Sequence, residues 1–232
     1  MDHFSILVMA REPAPGRVKT RLSPPLSHQL ASYLYEAMLS DTIDIVISLK
    51  GAGMYLFVEP QNSPYFDRYG GMGISILPQS GINLGEKMEN AAKLVWEQSK
   101  NPLIIIGTDI PLLTPSIITR SVAMLESTDI VIGPCDDGGY YLIGMRDFIS
   151  VPFQQIPWST DRVLKSTIAK LEEGALSFSF TEELFDIDTA RDIEKYVQHI
   201  AKKPNTPLLR TRFSRAAIKL SPHLGSLLSP GA

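Results

Sequence analysis

The sequence predicts an α/β protein built on a three-layer, mostly parallel β-sheet. Three observations carry this. Short apolar runs alternate with segments of helical spacing from the first residues onward, and such alternation favours parallel strands joined by right-handed crossovers. One run, Leu103 to Ile106, is unbroken Leu-Ile-Ile-Ile, as suits a strand buried on both faces. With 232 residues, 44% of them hydrophobic and 20% charged, the chain can bury the core that such a sheet needs.

Taken in order, residues 4–9 read as a buried first strand, and 12–25 as a Pro/Gly-rich loop. Ser27 is placed to cap a helix that carries Leu30, Leu34, Ala37 and Met38 on one face, reaches about Ser48 and ends at Gly51. Residues 54–58 and 74–77 are the next strands. Leu84, Met88, Ala91, Ala92 and Val95 give 84–98 helical spacing. After the strand 103–106, Thr114 and Pro115 open a helix as cap and first-turn proline. Residues 130–133 and 140–144 are two strands with no room for a helix between them, which breaks the alternation. Ser159 or Thr160 starts a helix closed by Gly174, residues 176–180 form a strand, and Thr189 with Asp192 makes a capping box for a helix to about His199.

Charge and composition bound the function classes. The formal net charge of −3 gives no sign of nucleic-acid binding. The one cysteine, Cys135, has no partner for an internal disulfide, which fits a reducing compartment. The start, Met1-Asp2-His3-Phe4, does not read as a signal peptide. No apolar run approaches the roughly 18–20 residues that cross a bilayer. The cytoplasm is the expected location.

The C-terminal end differs from the rest. After Glu194 there is no acidic residue, whereas Lys195, Lys202, Lys203, Arg210, Arg212, Arg215 and Lys219 follow, with Pro204, Pro207, Pro222 and Pro230 among them. Two readings are open: a solvated extension packed loosely on the domain, or a basic arm over a phosphate-bearing substrate.

In an open parallel sheet, ligands sit beyond the carboxyl ends of the strands. Beyond the first strand lie Arg11, Gly16, Arg17, Lys19 and Arg21. Four cations, a glycine and free backbone N–H groups suit a diphosphate, because arginine forks onto phosphate oxygens and lysine supplies a point charge. The alternative is a solvated loop, and the spacing fits neither the Rossmann fingerprint nor the P-loop. Beyond the strand 103–106 comes Asp109, placed to hold a divalent metal or to cap the next turn. Asp136, Asp137, Gly138 and Gly139 lie between two strands, where Asp-Gly signals a hairpin turn. The same residues have a functional reading, as carboxylates and glycine backbone facing the ligand crevice. Asp188 precedes the last predicted helix, either as a second metal carboxylate or as an acid favoured by the helix dipole. Trp158 lines an acceptor pocket or packs in the core. His3, His28, His199 and His223 show no metal-ligand spacing.

The ordered motifs M-A-R-E-P-A-P-G-R-V-K-T-R-L, G-I-N-L-G-E-K-M, G-T-D-I-P-L-L, G-P-C-D-D-G-G-Y-Y-L-I-G, P-W-S-T and F-D-I-D-T-A-R-D-I span roughly residues 4–200. This set resembles a bacterial, largely uncharacterised family of GT-A-fold proteins described as glycosyltransferases, within the nucleotide-diphospho-sugar transferase superfamily. The resemblance implies one Rossmann-like domain over residues 1–203, with a nucleotide-binding half over 1–110 and an acceptor half over 111–203, followed by the basic extension 204–232. It implies Mg²⁺ or Mn²⁺ held by Asp109, with Asp188 the best match to a second ligand. Leu84 and Gly85 would approach the nucleotide base. Asp137 or Asp136 would bind the acceptor or act as general base, with Gly138, Gly139 and Trp158 as acceptor contacts.

Two departures leave the reaction open. The loop after the first strand is Pro-rich, where nucleotidyltransferases of this fold carry a Gly-Gly-rich one, and Gly107 stands where many glycosyltransferases have a further aspartate. The expected activity is transfer of a group, a sugar above all, from a nucleotide-activated donor to a small-molecule acceptor. The alternatives are nucleotidyl transfer with pyrophosphate release, the chemistry of the similar 2-phospho-L-lactate guanylyltransferases, and a nucleotide-binding module without catalysis. Oligomeric state is not legible in the sequence.

Overall fold

The computed structural model describes residues 3–203 and 205–227, with the backbone alone for 223–227. Met1, Asp2, Pro204, Pro230 and the side chain of His223 therefore lie outside the described residues. The chain forms two compact units. The first draws on residues up to Glu12, on Ile45–Gly107 and on Leu113–Leu184; the second on Pro13–Asp44, Thr108–Leu112 and residues from Phe185 onward.

The first unit holds a seven-stranded sheet: β1 (Phe4–Arg11), β2 (Ala52–Glu59), β3 (Ile74–Pro78), β4 (Leu103–Ile106), β5 (Ile130–Pro134), β6 (Tyr140–Met145) and β7 (Phe178–Phe180). Their order is β3-β2-β1-β4-β6-β5-β7. β6 runs antiparallel to β4 and β5, and every other pair is parallel. The mostly parallel α/β sheet expected from the sequence is therefore found. The strand that broke the alternation is the antiparallel one, because the tight 135–139 turn folds it straight back onto β5 before it pairs with β4.

Both faces of the sheet are buried. Leu7, Phe57, Ile105 and Ile143 pack with Met88, Ala91, Ala92 and Val95 of α2 (Leu84–Ser99) in one core cluster. Ile6, Val8, Ile104 and Ile106 alternate onto the opposite face and are equally buried. On that side Gly144 lets the Ile104 side chain and Leu125, which ends α3 (Pro115–Met124), close over the strand. Asn83 caps α2 and Thr114 caps α3, each through a side-chain oxygen.

α4 (Val163–Glu173) starts later than the sequence suggests. Ser159 lies at φ 63°, and the Thr160 hydroxyl donates to the Pro157 carbonyl at 2.7 Å, so both serve a local turn instead. β7 is also shorter than expected. The Leu176 N–H donates back to the Leu171 carbonyl, so the helix exit consumes the first residues of the run.

The second unit contains most of α1 (His28–Ile47), α5 (Ala190–Ala201) and α6 (Arg212–Leu227). Over Arg212–Ala217 the tail is packed into this unit and is not a loose extension. Phe213, Ser214 and Ala217 are fully buried. The Phe213 and Tyr196 rings meet edge-on at 5.1 Å, and the Tyr196 and Ser214 hydroxyls are 2.6 Å apart. Asp41 of α1 accepts from the backbone N–H groups of Arg212 and Phe213, which satisfies donors that a helix start otherwise leaves unpaired. Among the described residues, no helix is long and apolar enough to cross a membrane.

Candidate active site

The second unit collects five of the charged residues that the sequence singled out: Arg17, Lys19, Arg21, Asp109 and Asp188. Gly16 sits at φ 76° in the loop after β1. Arg17 is exposed, and its N–H donates to the Ala14 carbonyl. Lys19 follows in the left-handed region at φ 45° and caps a short 3-10 helix, Thr20–Leu22. A non-glycine residue is held there only where its surroundings over-determine it.

Here the turn supplies this, through the Leu22 N–H on the Lys19 carbonyl, while carboxylates surround the Lys19 side chain. Its side chain is only 8% exposed, and Nζ donates to Asp109 Oδ2 at 2.8 Å, with Asp188 Oδ1 at 3.7 Å and Asp186 Oδ2 at 4.0 Å. Arg21 pairs with the second oxygen of Asp188. Burial disfavours the Lys19 ammonium, but the three carboxylates outweigh it and hold its pKa above the ordinary lysine value. Asp109 mirrors this: burial works against its charge, and Lys19 pulls its carboxyl below the usual range.

Local pairing explains how the three acids converge. The Ile187 N–H donates to the Asp109 carbonyl at 3.0 Å, so the segment around Ile187 lies alongside Asp109. Ile187 is fully buried, and in an extended segment its neighbours Asp186 and Asp188 share the other side. Thr114 caps α3, while Thr189 and Asp192 form the expected capping box of α5. Sequence reasoning gave Asp186 no role. The available signal was its two-residue spacing from Asp188.

Three carboxylate oxygens directed at one small cation are the hard, all-oxygen donor set that Mg²⁺ or Mn²⁺ accepts. In this structure the cation that they surround is the Lys19 ammonium.

The remaining candidates lie in the first unit, in three groups. At the strand ends, Glu59 Oε2 accepts from Lys87 Nζ at 2.9 Å and lies 3.4 Å from Arg11 Nε. The Lys87 hydrogen bond is the main cause that holds the Glu59 carboxyl below its usual range. Arg11, read as a phosphate contact, thus has a carboxylate partner here.

The second group is the start of α2. Leu84 is exposed, whereas Gly85 is buried beneath the Trp158 indole, where a Cβ would stand 2.2 Å from Nε1. Trp158 in turn meets Tyr140 edge-on at 6.2 Å.

The third group is the β5–β6 turn. The Gly139 N–H donates to Asp137 Oδ1 at 2.8 Å, and the Gly138 N–H to the Cys135 carbonyl, so the hairpin reading holds for this segment. Asp136 and Asp137 are exposed. Gly138, at φ 87°, lies so close to Asp161 that a Cβ would come within 2.1 Å of its carbonyl oxygen. The Gly138 carbonyl accepts from Leu164 N at 2.9 Å.

Comparison with known proteins gives four findings. Over 122 residues the chain is 32% identical to 2-phospho-L-lactate guanylyltransferase of Methanosarcina mazei, covering 52% of this chain and 53% of that protein. The chain thus aligns with about half the length of this curated relative. A crystal structure from Desulfovibrio desulfuricans G20, provisionally described as a nucleotide-diphospho-sugar transferase, matches 98% of this chain and 99% of its own at TM-score 0.89 and 24% identity. The 4-diphosphocytidyl-2C-methyl-D-erythritol synthase of Anaerococcus prevotii matches 86% and 97% at TM-score 0.57 and 12% identity. At these identities the two structures speak to the fold, which is that of the nucleotide-diphospho-sugar transferases. A family model matches residues 42–160, and the chain belongs to that family, described as uncharacterized protein conserved in bacteria (DUF2064).

Proposed function

We propose that the protein is a nucleotide-dependent transferase that moves a nucleotidyl group from a nucleoside triphosphate to a phosphorylated small molecule. The observation that carries this reading is the convergence of Asp109, Asp186 and Asp188 on the Lys19 ammonium, on the same loop as Gly16, Arg17 and Arg21. Carboxylates that accept a cation, next to several donors for phosphate, suit polyphosphate chemistry. The guanylyltransferase relative supports a nucleotidyl donor.

In this reading Asp109, Asp186 and Asp188 would hold Mg²⁺ or Mn²⁺, which would neutralise negative charge on the polyphosphate. Arg17, Lys19 and Arg21 bind phosphate oxygens and stabilise charge as it builds on the leaving group. An acceptor phosphate oxygen attacks the α-phosphorus. The new P–O bond forms as the bond from the α-phosphorus to the bridging oxygen breaks, and pyrophosphate leaves. An acceptor phosphate, with a second pKa near 6, is ionised at neutral pH. No general base is then required, and Asp136 and Asp137, with Gly138, Gly139 and Trp158, take the role of acceptor contacts. We assign Leu84 and Gly85 to the nucleoside.

Glycosyl transfer is the second reading, favoured by the nearly full-length likeness to the Desulfovibrio protein. The test is a turnover panel of the four nucleoside triphosphates and of nucleotide sugars with phosphorylated acceptors, each with Mg²⁺ or Mn²⁺. Pyrophosphate release with one triphosphate supports nucleotidyl transfer. Release of a nucleoside diphosphate from a nucleotide sugar, without pyrophosphate, establishes the second reading in its place. Calorimetric binding of nucleotides with metal, compared between wild type and Asp109→Asn, tests the metal assignment. Metal-dependent binding is expected to be lost in the variant.

A further inference from the structure

We propose that Lys19 is a built-in competitor of the divalent cation: its ammonium occupies the carboxylates of Asp109, Asp186 and Asp188, and metal binding expels it. This rests on the metal reading above and adds an exchange to it. The Lys19 side chain is 8% exposed, and its shortest contact is with Oδ2 of Asp109, a carboxylate the metal reading needs. A Mg²⁺ ion draws its ligand oxygens to about 2.0–2.1 Å, closer than the 2.8 Å at which Asp109 holds Lys19. Two cations crowded onto one set of oxygens repel strongly where little water screens them.

The backbone and side chain of Lys19 divide the labour. The left-handed backbone at φ 45° is fixed by the 3-10 turn it caps, where the Leu22 N–H donates to the Lys19 carbonyl at 3.0 Å. The four-carbon stem is flexible, so the ammonium can leave while the loop stays. Once released it is a free donor on the loop that carries Arg17 and Arg21. Metal binding would therefore create a phosphate ligand as well as a charge, and each ligand would raise the affinity for the other by the same factor.

Acylation of the full-length wild-type protein by a lysine-reactive acetyl ester, read by peptide mass spectrometry with and without saturating Mn²⁺, tests the exchange. Lys19 should label at least fivefold faster with Mn²⁺, while the exposed Lys93 keeps its rate. In parallel, Mn²⁺ affinity is measured by loss of the free-ion paramagnetic resonance signal. Lys19→Met should bind at least tenfold tighter than wild type, and Asp109→Asn should bind no Mn²⁺. If wild type binds Mn²⁺ through Asp109 but Lys19 labelling does not change, or if Lys19→Met binds no tighter, the exchange is refuted and the metal site stands. If neither wild type nor Lys19→Met binds Mn²⁺, the exchange and the metal reading fall together.

Discussion

Replacing Gly85 with alanine adds one methyl group where the structure has no room for it. The Cβ would stand 2.2 Å from Trp158 Nε1, 2.5 Å from Cε2 and 2.8 Å from Cζ2. Ordinary contacts of this kind are about 3.5–4.0 Å, so the helix start or the indole must move by more than 1 Å. Overpacking of this size costs about 1–3 kcal/mol. Against it stands the gain from alanine's helix propensity, up to about 1 kcal/mol in a helix interior and less at this first-turn position. The net expectation is a loss of about 1–2 kcal/mol.

The assay is urea unfolding followed by circular dichroism for wild type, Gly85→Ala, Trp158→Leu and the double variant. If the clash is with the indole, Gly85→Ala should cost much less in the Trp158→Leu background, with a coupling energy of about 1 kcal/mol or more. A Gly85→Ala protein as stable as wild type would refute the packing argument. An equal loss in both backgrounds would show that the cost lies elsewhere.

Three further outcomes are expected. Gly138→Ala combines a φ of 87° with a Cβ 2.1 Å from the Asp161 carbonyl oxygen. It should lose about 2–4 kcal/mol in urea unfolding, whereas Gly139→Ala, whose nearest contact is a side-chain oxygen at 3.1 Å, should lose less. Phe213→Ala should cost about 3–5 kcal/mol, the usual range for a fully buried phenylalanine, and reduced helicity should accompany it. Asp129 accepts from the Ser177 hydroxyl at 2.6 Å and the Ser177 N–H at 2.9 Å, and these bonds, with Arg146, lower its carboxyl pKa. Its contribution, about 1–2 kcal/mol after allowance for partial exposure, is complete above the ordinary value of 3.8 and is lost as pH falls through the lowered folded value. Asp129→Asn should therefore be less stable than wild type near neutral pH, and the gap should close in acid. A gap that is constant with pH would exclude this linkage.

Much of the sheet was legible because burial on both faces imposes a simple signal. Leu103 to Ile106 is uninterrupted and emerges as β4 with the same bounds. The Thr114-Pro115 start and the Thr189-Asp192 box are also local chemistry, readable one turn at a time. Strand order is not local. Nothing in residues 140–144 announces that they pair with β4 as well as β5, because each partner contributes only apolar side chains to the contact. α6 was hidden by its composition: the basic residues and Pro222 drew attention away from Phe213, Ser214 and Ala217 at helical spacing. At the site, residue type and position after a strand pointed to Lys19, Asp109 and Asp188. That they meet, and that Asp186 joins them, depends on the pairing of Ile187 with Asp109 across a long stretch of chain. The Gly85–Trp158 contact was equally invisible, since each residue is unremarkable without the other.

The order in which the site's parts leave the ribosome sets a condition on when it can work. Arg21 and its partner Asp188 are separated by 167 positions. At roughly 5–20 residues added per second, the cationic loop waits on the order of ten to thirty seconds for its last carboxylate. All seven strands end by Phe180, before Asp186 and Asp188 are made. A nascent or truncated chain can therefore own every strand of its sheet and still lack two of the three acids around Lys19. Only chains extended past Asp188 carry the full set. The acids around Lys19 are thus completed only after the last strand of the sheet has been made.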